Sequence, residues 1–162
     1  MTETDSPRRL TLLYQLWLLE MASSRFMRVA LDGTGMRGEQ YGLYSYLYAN
    51  GPRTLTEAAR DLAHPLTTLS TLVAPWIDAG DILRRPHPRD GRARLLELTP
   101  AGRKRIEGVI PAFSAGYRTL LRELEARQAD TEALFAELDL LKTSIERTIE
   151  LMEAETGGLA RG

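Results

Sequence analysis

Apolar residues recur at helical spacing through most of the chain, and their period sets the elements to expect. Between Pro7 and Leu31, the residues Leu10, Leu13, Trp17 and Met21 share one side while Leu12, Leu16 and Leu19 occupy another, which predicts a first helix covered by more than one neighbour. Asp32-Gly33-Thr34-Gly35 breaks it. A second helix is expected from Met36 to Ala49, burying Tyr41, Tyr44, Leu47 and Tyr48 and ending at Asn50-Gly51-Pro52. A short third helix opens near Thr54 and runs to Ala63, with Thr56 as its cap and Glu57 in the positive first turn. In the fourth, Pro65 to Ala79, Leu69, Leu72, Val73 and Trp76 form an i, i+3, i+4, i+7 stripe; Thr67, Ser70, Thr71 and Ala74 fall opposite. Gly80 closes that helix.

The period then changes. Ile82-Leu83 enters a strand, Arg94 to Leu98 reads as its partner, and Asp90-Gly91 between them is a hairpin dipeptide, with Gly91 expected at positive φ. Thr99 caps a new helix and Pro100 takes its first position, where no N–H is missed. That helix reaches Ala126 with a kink expected at Pro111, Gln128 to Asp130 marks a break, and a last helix spans Thr131 to Glu155. Its stripe of Leu134, Leu138, Leu141, Ile145, Thr148, Ile149 and Met152 suits another helix, and the TGGLARG end is expected to fray. The fold class is therefore mainly α: a winged helix-turn-helix with a small antiparallel β-wing and long N- and C-terminal dimerisation helices. The expected division is 1–35 as an N-terminal dimerisation helix, 36–102 as the winged helix-turn-helix, and 103–162 as C-terminal dimerisation helices.

At 162 residues the chain accommodates one such domain with helical extensions. It has no cysteine, which excludes disulfides, thiolate metal sites and thiol redox sensing. No run approaches the about 20 apolar residues of a membrane span, and no signal-type h-region follows the N-terminal residues, so a cytoplasmic protein with no membrane partner is expected. The net charge of −1 conceals a strong asymmetry. Arg84 to Arg105 holds eight basic residues (Arg84, Arg85, Arg89, Arg92, Arg94, Arg103, Lys104, Arg105) against Asp90 and Glu97, whereas Arg122 to Glu155 holds ten acids against four bases. A basic middle and an acidic end suit a protein that presents one face to a polyanion.

Two short helices followed at once by a basic hairpin place the fourth helix in a major groove of double-stranded DNA. Its small hydroxyl-bearing face can approach base edges closely, and the wing arginines can neutralise phosphates, one of them entering the minor groove.

The order of helices and wing, Gln40 in the second helix, and Asp90-Gly91-Arg92 followed by Leu96-Glu97-Leu98-Thr99-Pro100-Ala101-Gly102 resemble the MarR (multiple antibiotic resistance regulator) family of bacterial transcription factors. The resemblance covers nearly the whole chain. It implies a homodimer on a pseudo-palindromic operator, usually a repressor released by a small ligand. Carried over by position, Asp90 braces the wing arginines, Arg92 or Arg89 reaches the minor groove, and Thr67, Thr68, Ser70 and Thr71 face the major groove, with Arg84 and Arg94 completing the DNA-binding set. The family often carries arginines where this chain has Thr71 and Pro75, and no Lys or Arg occurs from Pro65 to Ala79. Guanine readout by a bidentate Arg is thus not expected from this helix, and specificity shifts toward the wing and DNA shape.

Family members hold ligands between the wing domain and the dimer helices. Trp17, Met21, Phe26, Met36, Tyr41, Tyr44, Phe113 and Tyr117 are the residues able to line such a cleft, suited to a phenolic or antibiotic-like effector; ordinary core packing is the competing reading. No catalytic residue is expected, since cysteine nucleophile, glycine-rich phosphate loop and G-x-S-x-G elbow are all missing. No cofactor is implied. His64 is expected to cap the fourth helix or touch phosphate, and no carboxylate falls at ligand spacing with His64 and His87, so no metal site is expected. The rival function is a winged-helix protein–protein module that binds an acidic partner.

Overall fold

A computed structural model describes the backbone of residues 7–159 and the side chains of residues 11–155. The elements are α1 (Pro7–Ala30), α2 (Gly38–Asn50), β1 (Arg53–Thr54), α3 (Leu55–Asp61), α4 (Leu66–Asp78), β2 (Ile82–Pro86), β3 (Arg94–Leu98), α5 (Pro100–Ala126) and α6 (Thr131–Leu159). Contacts divide the chain into a unit of Met1–Tyr117 and a second of Arg118–Gly162.

In the first unit the sheet runs β1-β3-β2, antiparallel throughout. Ile82 faces Leu98, Arg84 faces Leu96 and Pro86 faces Arg94, while Arg53 and Thr54 pair with Leu96 and Leu95 on the other edge of β3. The core gathers Leu43, Tyr44 and Leu47 of α2, Ala58 and Ala59 of α3, Leu69 and Val73 of α4, Ile82, Leu96 and Leu98 of the sheet, and Ile106 and Val109 of α5. The expected α4 stripe supplies that core, with Leu72 and Trp76 half-buried at its margin. Tyr48 departs from the α2 expectation: it is exposed and donates from its hydroxyl to Glu107 at 3.2 Å, a surface bond that leaves the ring outside.

Local chemistry explains each boundary. The cap of α3 is Thr54, not Thr56: its hydroxyl accepts from the Glu57 N–H at 3.2 Å while the Glu57 carboxylate accepts from the Thr54 N–H at 2.7 Å. The first residue of the T-x-x-E box thus caps, because only it stands three residues before the glutamate. Helix α3 ends in a Schellman motif, with His64 N–H bonded to the Ala59 carbonyl and Ala63 at φ 52°. His64 therefore serves the end of α3 through its backbone. No side chain caps α4, whose N-cap is Pro65, so the expected capping role of His64 is not observed. Gly80, at φ 75°, is the left-handed residue of a second Schellman motif closing α4. Helix α5 runs continuously through Pro111.

Helix α1 is not buried as expected. Leu12, Leu13, Tyr14, Trp17, Leu18, Leu19 and Met21 are exposed, because the chain packs only the C-terminal part of α1, near Phe26 and Met27, while Leu10 lies outside the described side chains. In the second unit the end of α5 closes through Gln128 at φ 56°, and Asp130 caps α6 by accepting from the Ala133 N–H at 3.0 Å. Helix α6 continues past Glu155 to Leu159, so 156–159 are helical rather than frayed, and 160–162 lie outside the described residues. Leu134, Leu138, Ile145, Ile149 and Met152 of the expected stripe are exposed. Among the described residues no helix is long and apolar enough to cross a membrane.

Candidate nucleic-acid interface

Helix α4 presents Thr67, Thr68, Thr71, Ala74 and Pro75 to solvent, with Ser70 half-buried. The Thr71 hydroxyl donates to the Thr67 carbonyl at 3.1 Å, so it offers an approaching base only its acceptor lone pairs. Pro75 has no N–H for the Thr71 carbonyl, yet the helix continues to Asp78.

Seven residues, 87–93, connect β2 to β3, so the wing does not close through a two-residue turn. Gly91 is not among the positive-φ glycines, which corrects the expected hairpin geometry. The loop is instead shaped by side chains. The Asp90 carboxylate accepts from the Arg92 N–H at 2.9 Å, the Ala93 N–H returns to the Asp90 carbonyl at 3.1 Å, and His87 Nδ1 accepts from the Arg89 N–H at 3.2 Å. Asp90 therefore fixes the backbone that carries Arg92 through an Asx turn. Arg89 and Asp90 stand exposed at the tip.

Between the wing and the helix-turn-helix lies a cleft of about 290 Å³ lined by Thr54, Leu55, Thr56, Ser70, Arg84, Arg92, Ala93, Arg94 and Leu96. Four of the residues singled out from sequence, Ser70, Arg84, Arg92 and Arg94, meet there. Thr54 and Thr56 were not expected at the site. They arrive because β1 pairs with β3 some 40 residues away and carries the start of α3 with it. Of the eight basic side chains in the Arg84 to Arg105 stretch, Arg85 pairs with Glu97 and Arg105 with Asp81. Among the described residues, Arg84, Arg89, Arg92, Arg94, Arg103 and Lys104 have no carboxylate partner, so the field of the wing is largely uncompensated.

A further charged residue, Asp81, is 2% exposed and absent from the sequence-based site. Its Oδ2 accepts from the Tyr44 hydroxyl at 2.9 Å and pairs with Arg105 Nε at 3.0 Å, and Gln40 Nε2 donates to the Tyr44 oxygen at 3.1 Å. Burial pushes the Tyr44 phenol up to about 12, and the Asp81 charge adds to the effect, opposed by the Gln40 bond. A lone acid between Gly80 and an apolar strand was the one available sequence signal.

The expected ligand residues separate into four groups. Phe26, Tyr41 and Tyr117 pack around Phe113, with ring centroids 6.3, 4.4 and 6.3 Å from it. Tyr44 belongs to the Asp81 network and meets Trp76 edge-on at 5.7 Å. Trp17 and Met21 lie exposed on α1, and Met36 is buried in the core. Two further grooves in this unit are lined by other side chains, one of about 600 Å³ beside Glu20, Met27, Arg28 and Arg37, the other of about 470 Å³ beside Gln40, Thr71, Pro75 and Trp76.

Helix-turn-helix, antiparallel wing and long flanking helices together define a winged-helix protein. A probable transcriptional regulator from Pseudomonas aeruginosa has the same fold at 28% identity and TM-score 0.64, over 76% of this chain and 93% of that one. MepR of S. aureus in complex with DNA matches at 26% identity and TM-score 0.68, over 79% and 96%. Overoxidized AbfR bound to DNA shares the fold at 24% identity and TM-score 0.59, over 74% and 91%. No family model matches the sequence, and no curated protein does either. With the D-x-R and L-T-x-x-G wing motif in place between α4 and α5, the chain is similar in fold and sequence to MarR-type transcriptional regulators. AbfR has also been solved in a disulfide-formed state, which a chain without cysteine cannot make.

Proposed function

We propose that this protein regulates transcription by binding double-stranded DNA as a homodimer, with α4 in the major groove and the wing against the adjacent minor groove. The observation that carries the reading is the convergence of Arg84, Arg92 and Arg94 with Ser70 and Thr56 in one cleft, beside further basic side chains without carboxylate partners. Each phosphate such a cation neutralises releases counterions, which makes binding strong at low salt and steeply salt-dependent. Thr67, Thr68, Ser70 and Thr71 supply short hydroxyl contacts, Arg84 and Arg94 meet the backbone, and Arg89 or Arg92, held by Asp90, reaches the narrow groove. The solved complex of the similar protein MepR with DNA supports DNA as the partner.

Two apolar faces support the dimer. Leu12, Leu13, Trp17 and Leu19 on α1 and Leu134, Leu138, Ile145 and Ile149 on α6 are each more than a third exposed, and a second copy related by a two-fold axis covers both and spaces two wings for a pseudo-palindromic operator. Occupancy of a promoter by such a dimer represses. A phenolic or antibiotic-like effector would have to enter the Phe26, Tyr41, Phe113, Tyr117 cluster at the expense of ring contacts already made there. A thermal-shift screen of phenolic compounds tests that point, and silence throughout contradicts it. The protein–protein alternative has no support among the structural relatives. A gel shift with the DNA flanking the protein's own gene tests the main reading. A retarded complex that resists excess random duplex is expected; no complex at low salt contradicts it.

A further inference from the structure

Asp81 is a charged residue in a position suited to an apolar one. It lies next to core residue Ile82, and its side chain is almost wholly removed from water. Buried ion pairs seldom add net stability, because the desolvation of both partners offsets their attraction; they are better at enforcing one arrangement among several. The question is which arrangement Asp81 enforces.

The residue is bonded at every polar group. Its N–H returns to the Trp76 carbonyl and closes α4, and its carbonyl accepts from the N–H of Thr99, at the start of α5. Its carboxylate holds Tyr44 of α2 and Arg105 of α5. Only Ala79, Gly80 and Asp81 separate α4 from β2, so the angle between the base-facing helix and the wing is set across this link. Arg105 follows Arg103 and Lys104, and its side chain is half-exposed.

We infer that Asp81 is a positioning residue for DNA recognition: it locks α4 to the wing root and to α5, and it withholds Arg105 from the phosphate backbone. This rests on the DNA-binding reading. Without the carboxylate, α4 and the wing no longer meet a duplex in one fixed relation, so matched sites lose more than random ones. The released Arg105 adds a non-specific phosphate contact.

The variant Asp81→Asn keeps the shape and an acceptor for Tyr44 but removes the charge. Its binding is compared with wild type on a duplex selected by the wild-type protein from a random pool, and on an unselected duplex of equal length, across a salt series. The expected result is a folded D81N protein whose affinity for the selected duplex falls at least about tenfold, while its log–log salt slope on the unselected duplex steepens by about 0.9 per subunit. Adding Arg105→Gln restores the slope but not the selected-site affinity. A folded D81N with an unchanged ratio of selected to unselected affinity overturns the inference. Should D81N not fold, Tyr44→Phe, which removes one hydroxyl, takes its place: a lower ratio supports the assignment and an unchanged one overturns it. Wild-type protein that binds neither duplex overturns instead the DNA-binding reading beneath it.

Discussion

Gly102 and the carbonyl of Asp81 approach so closely that a Cβ on Gly102 would overlap the oxygen, besides crowding the Leu98 side chain at 3.1 Å. This contact gives the Thr99-Pro100-Ala101-Gly102 turn its physical meaning. The Thr99 hydroxyl donates to the Gly80 carbonyl at 2.7 Å and accepts from the Gly102 N–H at 3.1 Å, docking the first turn of α5 on the end of α4. Only a residue with no side chain lets the helix lie so near. Gly102→Ala is expected to destabilise the protein by about 1–3 kcal/mol, the usual range for overpacking. Chemical denaturation measures it; a variant as stable as wild type removes this account of the turn.

Ala63 holds φ 52° at the end of α3, a conformation an L-residue adopts at a cost and glycine adopts freely. Ala63→Gly is therefore expected to raise stability by about 0.5–1 kcal/mol and leave DNA binding unchanged. A lower melting temperature would contradict the Schellman geometry at this turn.

Tyr44 ionises with difficulty because it is buried, and its phenol stands at about 12 against an ordinary 10.0. The folded state thus prefers the neutral phenol. Its contribution to stability is complete below pH 10, where folded and unfolded chains are both protonated, and is lost as the pH rises from 10 toward 12. Burial also raises Tyr41 and Tyr46. Absorbance titration should show late-ionising tyrosines that move to ordinary pH on unfolding, with one fewer in Tyr44→Phe. A single titration at the ordinary value in native protein would contradict the burial of this network.

The exposed stripe on α6 should be an interface. Leu138→Glu with Ile145→Glu places two charges on it, and sedimentation is expected to show monomers where the wild-type chain shows dimers. DNA affinity should fall with it, since two half-sites are no longer read together. An unchanged dimer would mean that the copies meet elsewhere.

The sequence discloses most of this fold because its signals are local. The period of Leu69, Val73 and Trp76, the left-handed Gly80 and the capping Thr99 each act within one or two turns of chain, and each stands in the structure where expected. What escapes depends on distant partners. β1 has two residues and exists only because β3 pairs with it, so neither it nor Thr56 in the cleft has a period to read. The loop 87–93 is shaped by the His87 and Asp90 side chains rather than by Gly91. Asp81 looks like a turn residue, and only the return of α2 and α5 shows it to be buried. The apolar faces of α1 and α6 were legible, but the single chain leaves them uncovered.

The most direct test of the central claim compares two arginines of the wing. Arg92 has no carboxylate partner for its guanidinium among the described residues and has its backbone fixed by Asp90 at the cleft, whereas Arg85 is engaged by Glu97. Fluorescence anisotropy on the flanking duplex, repeated over a salt series, should show Arg92→Ala weakening binding severely and reducing the salt slope by about 0.9 per subunit, while Arg85→Ala changes either much less. Equal affinity and slope for wild type and Arg92→Ala would contradict the claim that the wing grips DNA.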